Sequence, residues 1–146
     1  MLSLTKRIIV IFLVLTALLQ AGFCYGEINK PDESRELQFQ DMLMLFLLPY
    51  IDEQLPQIYA PLLTQTPQLY PYFVDVINVE RVNGFRKFVF LITLEVVPTV
   101  GPHIPVGRDR FTFEISTDKV KLISVKHLKG PNKDDFPPNY LDILIN

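Results

Sequence analysis

His103 and His127 are the only imidazoles in the chain, and their placing limits its chemistry. Neither stands in a His-x-x-x-His or similar ligand spacing, and a catalytic zinc would need both of them plus a carboxylate. The single cysteine, Cys24, lies among the first 26 residues. Ser34, Ser116 and Ser124 are outside any Gly-x-Ser-x-Gly elbow, and there is no glycine-rich phosphate loop. These spacings predict no catalytic residue, no cofactor and no metal centre, which leaves binding chemistry. Glu95, Arg108, Arg110 and His127 fall on one face of the strands that the pattern predicts, with Arg108 opposite His127 and Thr112 continuing the row. Paired arginines grip a carboxylate or phosphate bidentately, and the plain alternative is a solvated, salt-bridged face. His103 sits near the tip of a Gly- and Pro-punctuated loop, residues 99–107. That loop is either a ligand contact or a long ordered connection. Asp75 would be buried opposite Ile92 if strand pairing ran that far. There its pKa would rise and suit it to acid catalysis. Pairing that ends near Ile77 would leave Asp75 in water.

A scaffold must hold these groups. Ser34 is a helix N-cap. From Leu37 onward apolar residues crowd every side: Phe39, Met42, Leu43, Leu45, Phe46, Leu47 and Leu48. That pattern predicts a deeply buried helix. Pro49 has no N–H and clashes one turn back, so the helix is expected to kink or restart there. Tyr50, Ile51, Leu55, Ile58 and Tyr59 would line a second segment limited by Pro56. Residues 60–72 hold Pro61, Pro67 and Pro71 and form a connector packed down by Leu62, Leu63, Leu69, Tyr70 and Tyr72.

The period then changes to two. Asn83-Gly84 predicts a two-residue hairpin turn between residues 73–82 and 85–98. Val82 would face Phe85, Glu80 would face Lys87, Val79 would face Phe88, and Ile77 would face Phe90. The inner face then carries Phe73, Ile77, Val79, Phe88, Phe90, Ile92, Leu94 and Val96. A second turn at Thr117-Asp118 sets Ile115 against Val120, Phe113 against Leu122 and Glu114 against Lys121. The outer face would carry Val76, Val89, Leu91, Val97, Ile123 and Val125, which is too apolar to stand bare. The C-terminal segment 140–144, the connector, a partner or a second copy of the chain should cover it. One kinked N-terminal helix packed on a four-stranded antiparallel meander sheet is an α+β fold, with a cystatin-like or nuclear-transport-factor-like layout. That likeness is architectural and carries no function.

Lys6 and Arg7 precede the apolar run 8–19, which at 12 residues is short for a bilayer that needs ~20. This layout predicts a secretory signal peptide over residues 1–26. Cleavage fits best after Gly26 and next best after Cys24, and a retained N-terminal anchor is the lesser alternative. Phe23 before Cys24 disfavours lipoprotein processing. The mature chain would lack cysteine and a transmembrane segment. Residues 27–33 form a polar lead-in, 34–128 one domain, and 129–146 a C-terminal tail docking on it. Without Lys6 and Arg7 the 14 basic residues become 12 against 16 acidic ones, a charge of −4, which argues against a nucleic-acid partner.

Four stretches occur in order over residues 34–128: Leu47-Leu48-Pro49-Tyr50-Ile51, Tyr70-Pro71-Tyr72, Gly101-Pro102-His103 and Phe111-Thr112-Phe113-Glu114-Ile115. Together they resemble an uncharacterised family of small secreted proteins of Bacillus-type bacteria, domain of unknown function family 3888. The resemblance implies a secreted protein of a Gram-positive, spore-forming bacterium and brings no catalytic residue or ligand. The expected function is a non-catalytic binding module at the bacterial cell exterior, for an extracellular protein or a cell-wall ligand, with homodimerisation as a further option. The alternative is a small hydrolase or isomerase using Asp75 or His103 in a pocket between helix and sheet. A protease inhibitor is a third reading, suggested only by the cystatin-like layout, and the Gln-x-Val-x-Gly loop of such inhibitors is absent.

Overall fold

A computed structural model describes residues 34–145. The expected leader 1–26, with Cys24 and both cleavage sites, and the lead-in 27–33 lie outside the described residues. The first helix, α1 (Arg35–Asp52), starts where its cap is: Leu37 N–H donates to Ser34 Oγ at 3.1 Å. Glu36 sits in the first turn, where the helix dipole favours an anion. α1 runs through Pro49 without restarting and ends three residues later.

α1 is not deeply buried, contrary to its all-round apolar sequence. Its buried residues are Met44, Leu47 and Ile51, a single stripe, while Phe39, Met42, Leu45 and Phe46 are exposed, Phe46 at 74%. A helix lying on one sheet face buries only the stripe that meets the sheet. α2 (Leu55–Tyr59) has Pro56 in its first turn, where the missing N–H would be unpaired anyway, so Pro56 opens this helix and does not limit it.

Six strands follow: β1 (Val74–Arg81), β2 (Phe90–Val96), β3 (Thr99–Val100), β4 (Ile104–Pro105), β5 (Arg108–Ile115) and β6 (Val120–Lys129). The main sheet is antiparallel in the order β1-β2-β5-β6, and β3-β4 is a small ribbon between β2 and β5. The fold is α+β, as the change of period predicts.

The second hairpin has the expected register, Ile115 opposite Val120, Glu114 opposite Lys121 and Phe113 opposite Leu122. The first does not. Asn83 and Gly84 take φ of +65° and +89°, as a primed turn requires, but the ladder closes only at Val82–Val89 and Arg81–Phe90. Arg81 secures the wider loop by lying over the Phe90 ring at 4.4 Å and donating to the Lys87 carbonyl. A slip of four residues preserves the faces, so Ile92, Leu94 and Val96 still point inward and are buried. Phe88 is lost from the inner face and is 60% exposed in the loop. Glu80 pairs with Leu91, and the expected Glu80–Lys87 pair does not form.

Two bulges invert the outer-face assignments. Register shifts at Ile77 in β1 and at Ile123 in β6 turn the residues beyond them to the other side, in β6 as far as a further shift at Leu128. Val76 and Val125 move inward, beside Leu94 and Phe111, and pack against the core. Asp75 moves outward, opposite Glu95, and is exposed, so the buried Asp75 does not exist. His127 faces Asp109, and Arg108 faces Lys129 in its place. The outer face becomes polar rows: Asp75–Glu95–Arg110–Lys126 and Asn78–Thr93–Thr112–Ser124. A face of this kind needs no cover. The C-terminal tail docks on the connector, with Thr64 N–H donating to the Ile143 carbonyl at 2.8 Å and Ile145 N–H to that of Leu62 at 3.0 Å. Ile143 and Phe136 join the core there.

Candidate functional site

The Tyr70-Pro71-Tyr72 and Gly101-Pro102-His103 stretches, distant in sequence, meet in space. Gln68 and Thr99 exchange backbone hydrogen bonds at 2.8 Å each, which ties the connector to β3. Pro71 opens a single 3-10 turn over Pro71–Phe73, which with Tyr70 just before it gathers three aromatic rings. The β3–β4 tip turns back through Gly101 at φ +50° and His103 at φ +64°. Tyr140 packs against Gly101 so closely that an added Cβ would lie 2.5 Å from its ring.

His103 lands among these rings. Its centroid is 4.7 Å from Tyr70, 6.0 Å from Tyr72 and 6.1 Å from Phe73, each edge to face. Tyr72 Oη and His103 Nε2 share a hydrogen bond of 3.2 Å. Tyr70 and Tyr72 stack at 5.5 Å with planes 18° apart, and Tyr72 stays 65% exposed. The result is an aromatic shelf open to solvent. Beside it lie two clefts of about 390 and 320 Å³ that share Thr66 and Gln68. Asp52 and Tyr70 line the larger one. Partial burial raises the Asp52 carboxyl above the usual carboxylate value, and no cation pairs with it among the described residues. Flat rings, an amide, a hydroxyl and a lone carboxylate suit a polar ligand with an apolar face.

The expected arginine patch forms only in part. Arg110 donates through Nε and Nη2 to one oxygen of Glu95, and Arg108 Nη1 reaches the other at 3.2 Å. Glu95 is only 13% exposed, and Arg110 first, then Arg108, hold its carboxyl below the ordinary range. One carboxylate of the chain itself thus occupies the grip that the sequence offered to a ligand. A group whose folded pKa is depressed stabilises the fold above its ordinary value and loses that contribution as pH falls. Glu95→Gln is therefore expected to lower Tm slightly at neutral pH, with the two Tm curves converging as pH drops well below 4.5. Thermal melts across acid pH check this.

His127 is absent from that patch. It joins a cluster around a buried carboxylate that the sequence reading missed, with its own ring about 35% exposed. Asp109 is fully buried and accepts from Tyr59 Oη at 2.8 Å and from His127 Nδ1 at 2.6 Å. Burial first, and the Asp109 carboxylate second, push the Tyr59 hydroxyl far up, so it remains a donor. Tyr59 also packs edge-on to His127 at 5.6 Å. Asp109 shares strand parity with Phe111 and Phe113, which is the signal that could have found it. Among the described residues, no three His, Cys, Asp or Glu side chains could hold a metal ion, and no helix is long and apolar enough to cross a membrane.

Neither the curated proteins nor the solved structures contain a match to this chain. A family profile, "Protein of unknown function (DUF3888)", matches residues 39–129, which hold most of α1, the aromatic shelf, the Glu95 clamp and the whole sheet, and the chain belongs to that family.

Proposed function

We propose that the chain is a secreted, non-catalytic binding module of the bacterial cell exterior. Its binding surface is the shelf of Tyr70, Tyr72, Phe73 and His103 with the Asp52–Gln68 cleft. The layout of residues 1–26 supports export. The observation that carries the choice of surface is His103. It keeps a side chain at φ +64° on a loop tip, where glycine would be free of the ~1–2 kcal/mol that a left-handed residue costs. Histidine tolerates that region better than most residues, and here its ring completes the shelf. The ligand class is a glycan: its flat C–H face lies on Tyr72, and its hydroxyls reach Asp52, Thr66 and Gln68. In this reading Glu95, Arg108 and Arg110 stiffen the outer sheet. The hydrolase alternative loses Asp75 to the exposed face.

His103→Gly separates folding from binding. Tm should stay within about 4 °C, the shift that 1 kcal/mol produces in a domain of this size. Affinity for soluble cell-wall glycan fragments, measured by calorimetric titration, should fall at least about tenfold, one 1.4 kcal/mol step. Tyr72→Ala should do the same. Wild-type protein that shows no saturable glycan response removes the ligand class. A His103→Gly variant that binds as well as wild type removes the surface.

A further inference from the structure

We infer that the β1–β2 loop, residues 82–89, is a lipid-contact tip that seats on an anionic membrane surface. Phe85 is 90% exposed and Phe88 60%, the least covered pair of rings so close together in the described chain. Arg86 and Lys87 lie between them and are exposed. The whole chain carries a net charge of −2, yet from Arg81 to Leu94 there are three basic residues and no acid. Arg81 is committed to the Phe90 ring and the Lys87 carbonyl. Arg86 and Lys87 meet no carboxylate among the described residues.

The tip is built, not frayed. Asn83, Gly84 and Arg86 all hold positive φ, and Lys87 N–H closes on the Gly84 carbonyl at 3.3 Å. Rings flanked by Lys and Arg are the chemistry of a membrane interface: the rings enter the headgroup layer and the cations meet its phosphates.

Charge favours lipid over a second copy. A two-fold dimer would set Arg86 and Lys87 against themselves, whereas an anionic bilayer complements them.

The chain has no tryptophan, so Phe85→Trp in the full-length protein is a unique probe of the tip. With vesicles of phosphatidylglycerol and phosphatidylcholine its emission should shift blue and be quenched by lipids brominated on the acyl chain. Pure phosphatidylcholine should give neither change at the tip. Adding Arg86→Gln and Lys87→Gln should weaken the response about thirtyfold, at about 1 kcal/mol per basic residue. The readout is local, so any partition of residues 8–19 does not mimic it. Tyr72→Trp should not respond, which keeps this test separate from glycan binding. Unchanged emission from Phe85→Trp on anionic vesicles overturns the inference. A blue shift that grows with protein concentration without lipid overturns it in favour of self-association.

Discussion

Asp109→Ala is expected to cost about 3 kcal/mol, since a hydrogen bond to a charged group contributes about 1.5–3 kcal/mol and Asp109 accepts two, the one from His127 at a partly exposed ring. Both oxygens of Asp109 are engaged, one by the Tyr59 hydroxyl and one by His127 Nδ1, and the residue has no exposed surface. Truncation would orphan the buried Tyr59 hydroxyl, at about 1–3 kcal/mol, while the partly exposed His127 ring would turn to water. Total stabilities run about 5–15 kcal/mol, so the variant should be largely unfolded at modest denaturant. Tyr59→Phe removes one donor and should cost less, about 1.5–3 kcal/mol for a bond to a charged acceptor. Chemical denaturation of both variants and their double mutant measures the coupling. A loss under about 1 kcal/mol for Asp109→Ala would mean that the network is slack and water reaches it.

This cluster also shows where sequence reading stops. Asp109 was legible, because it alternates in phase with Phe111 and Phe113 and had to find a buried partner. Its neighbours Arg108 and Arg110 drew attention to the other face. His127 was not legible. Its side depends on the bulge at Ile123, and Leu122-Ile123-Ser124 reads as ordinary strand. The same holds for Asp75 beyond Ile77.

The two turns make a similar contrast. Thr117-Asp118 is the weaker turn pair, yet its register holds because the Ser116 hydroxyl bonds both Asp118 and the Lys119 carbonyl. Asn83-Gly84 takes its preferred φ values, but Arg81 on Phe90 moves the closure outward. Local preference set the turn, and a cross-strand contact set the register. The aromatic shelf required more still. Both of its stretches stand out in the sequence, but nothing in it shows the Gln68–Thr99 bridge that brings them together.

Gly107→Ala tests the same cluster from the opposite side. Gly107 is buried just before β5 and has no positive φ, so what it supplies is space. A Cβ there would overlap the Tyr59 hydroxyl and lie 2.5 Å from the Lys129 carbonyl. Neither neighbour yields freely. The hydroxyl is held by Asp109, and the carbonyl is backbone at the end of β6. The expected loss is about 2–4 kcal/mol, combining overpacking of about 1–3 with a weakened Tyr59–Asp109 bond. Because part of that loss runs through the hydroxyl, Gly107→Ala should cost less in a Tyr59→Phe background, and the shortfall measures how firmly the hydroxyl is seated. Gly101→Ala is the useful contrast. Its Cβ would meet only the Tyr140 ring, which can swing away, although the residue's φ of +50° adds strain of its own. Equal losses for Gly107→Ala in both backgrounds would place the whole clash on the Lys129 carbonyl, and Tyr59 would then be a passenger in this corner of the fold.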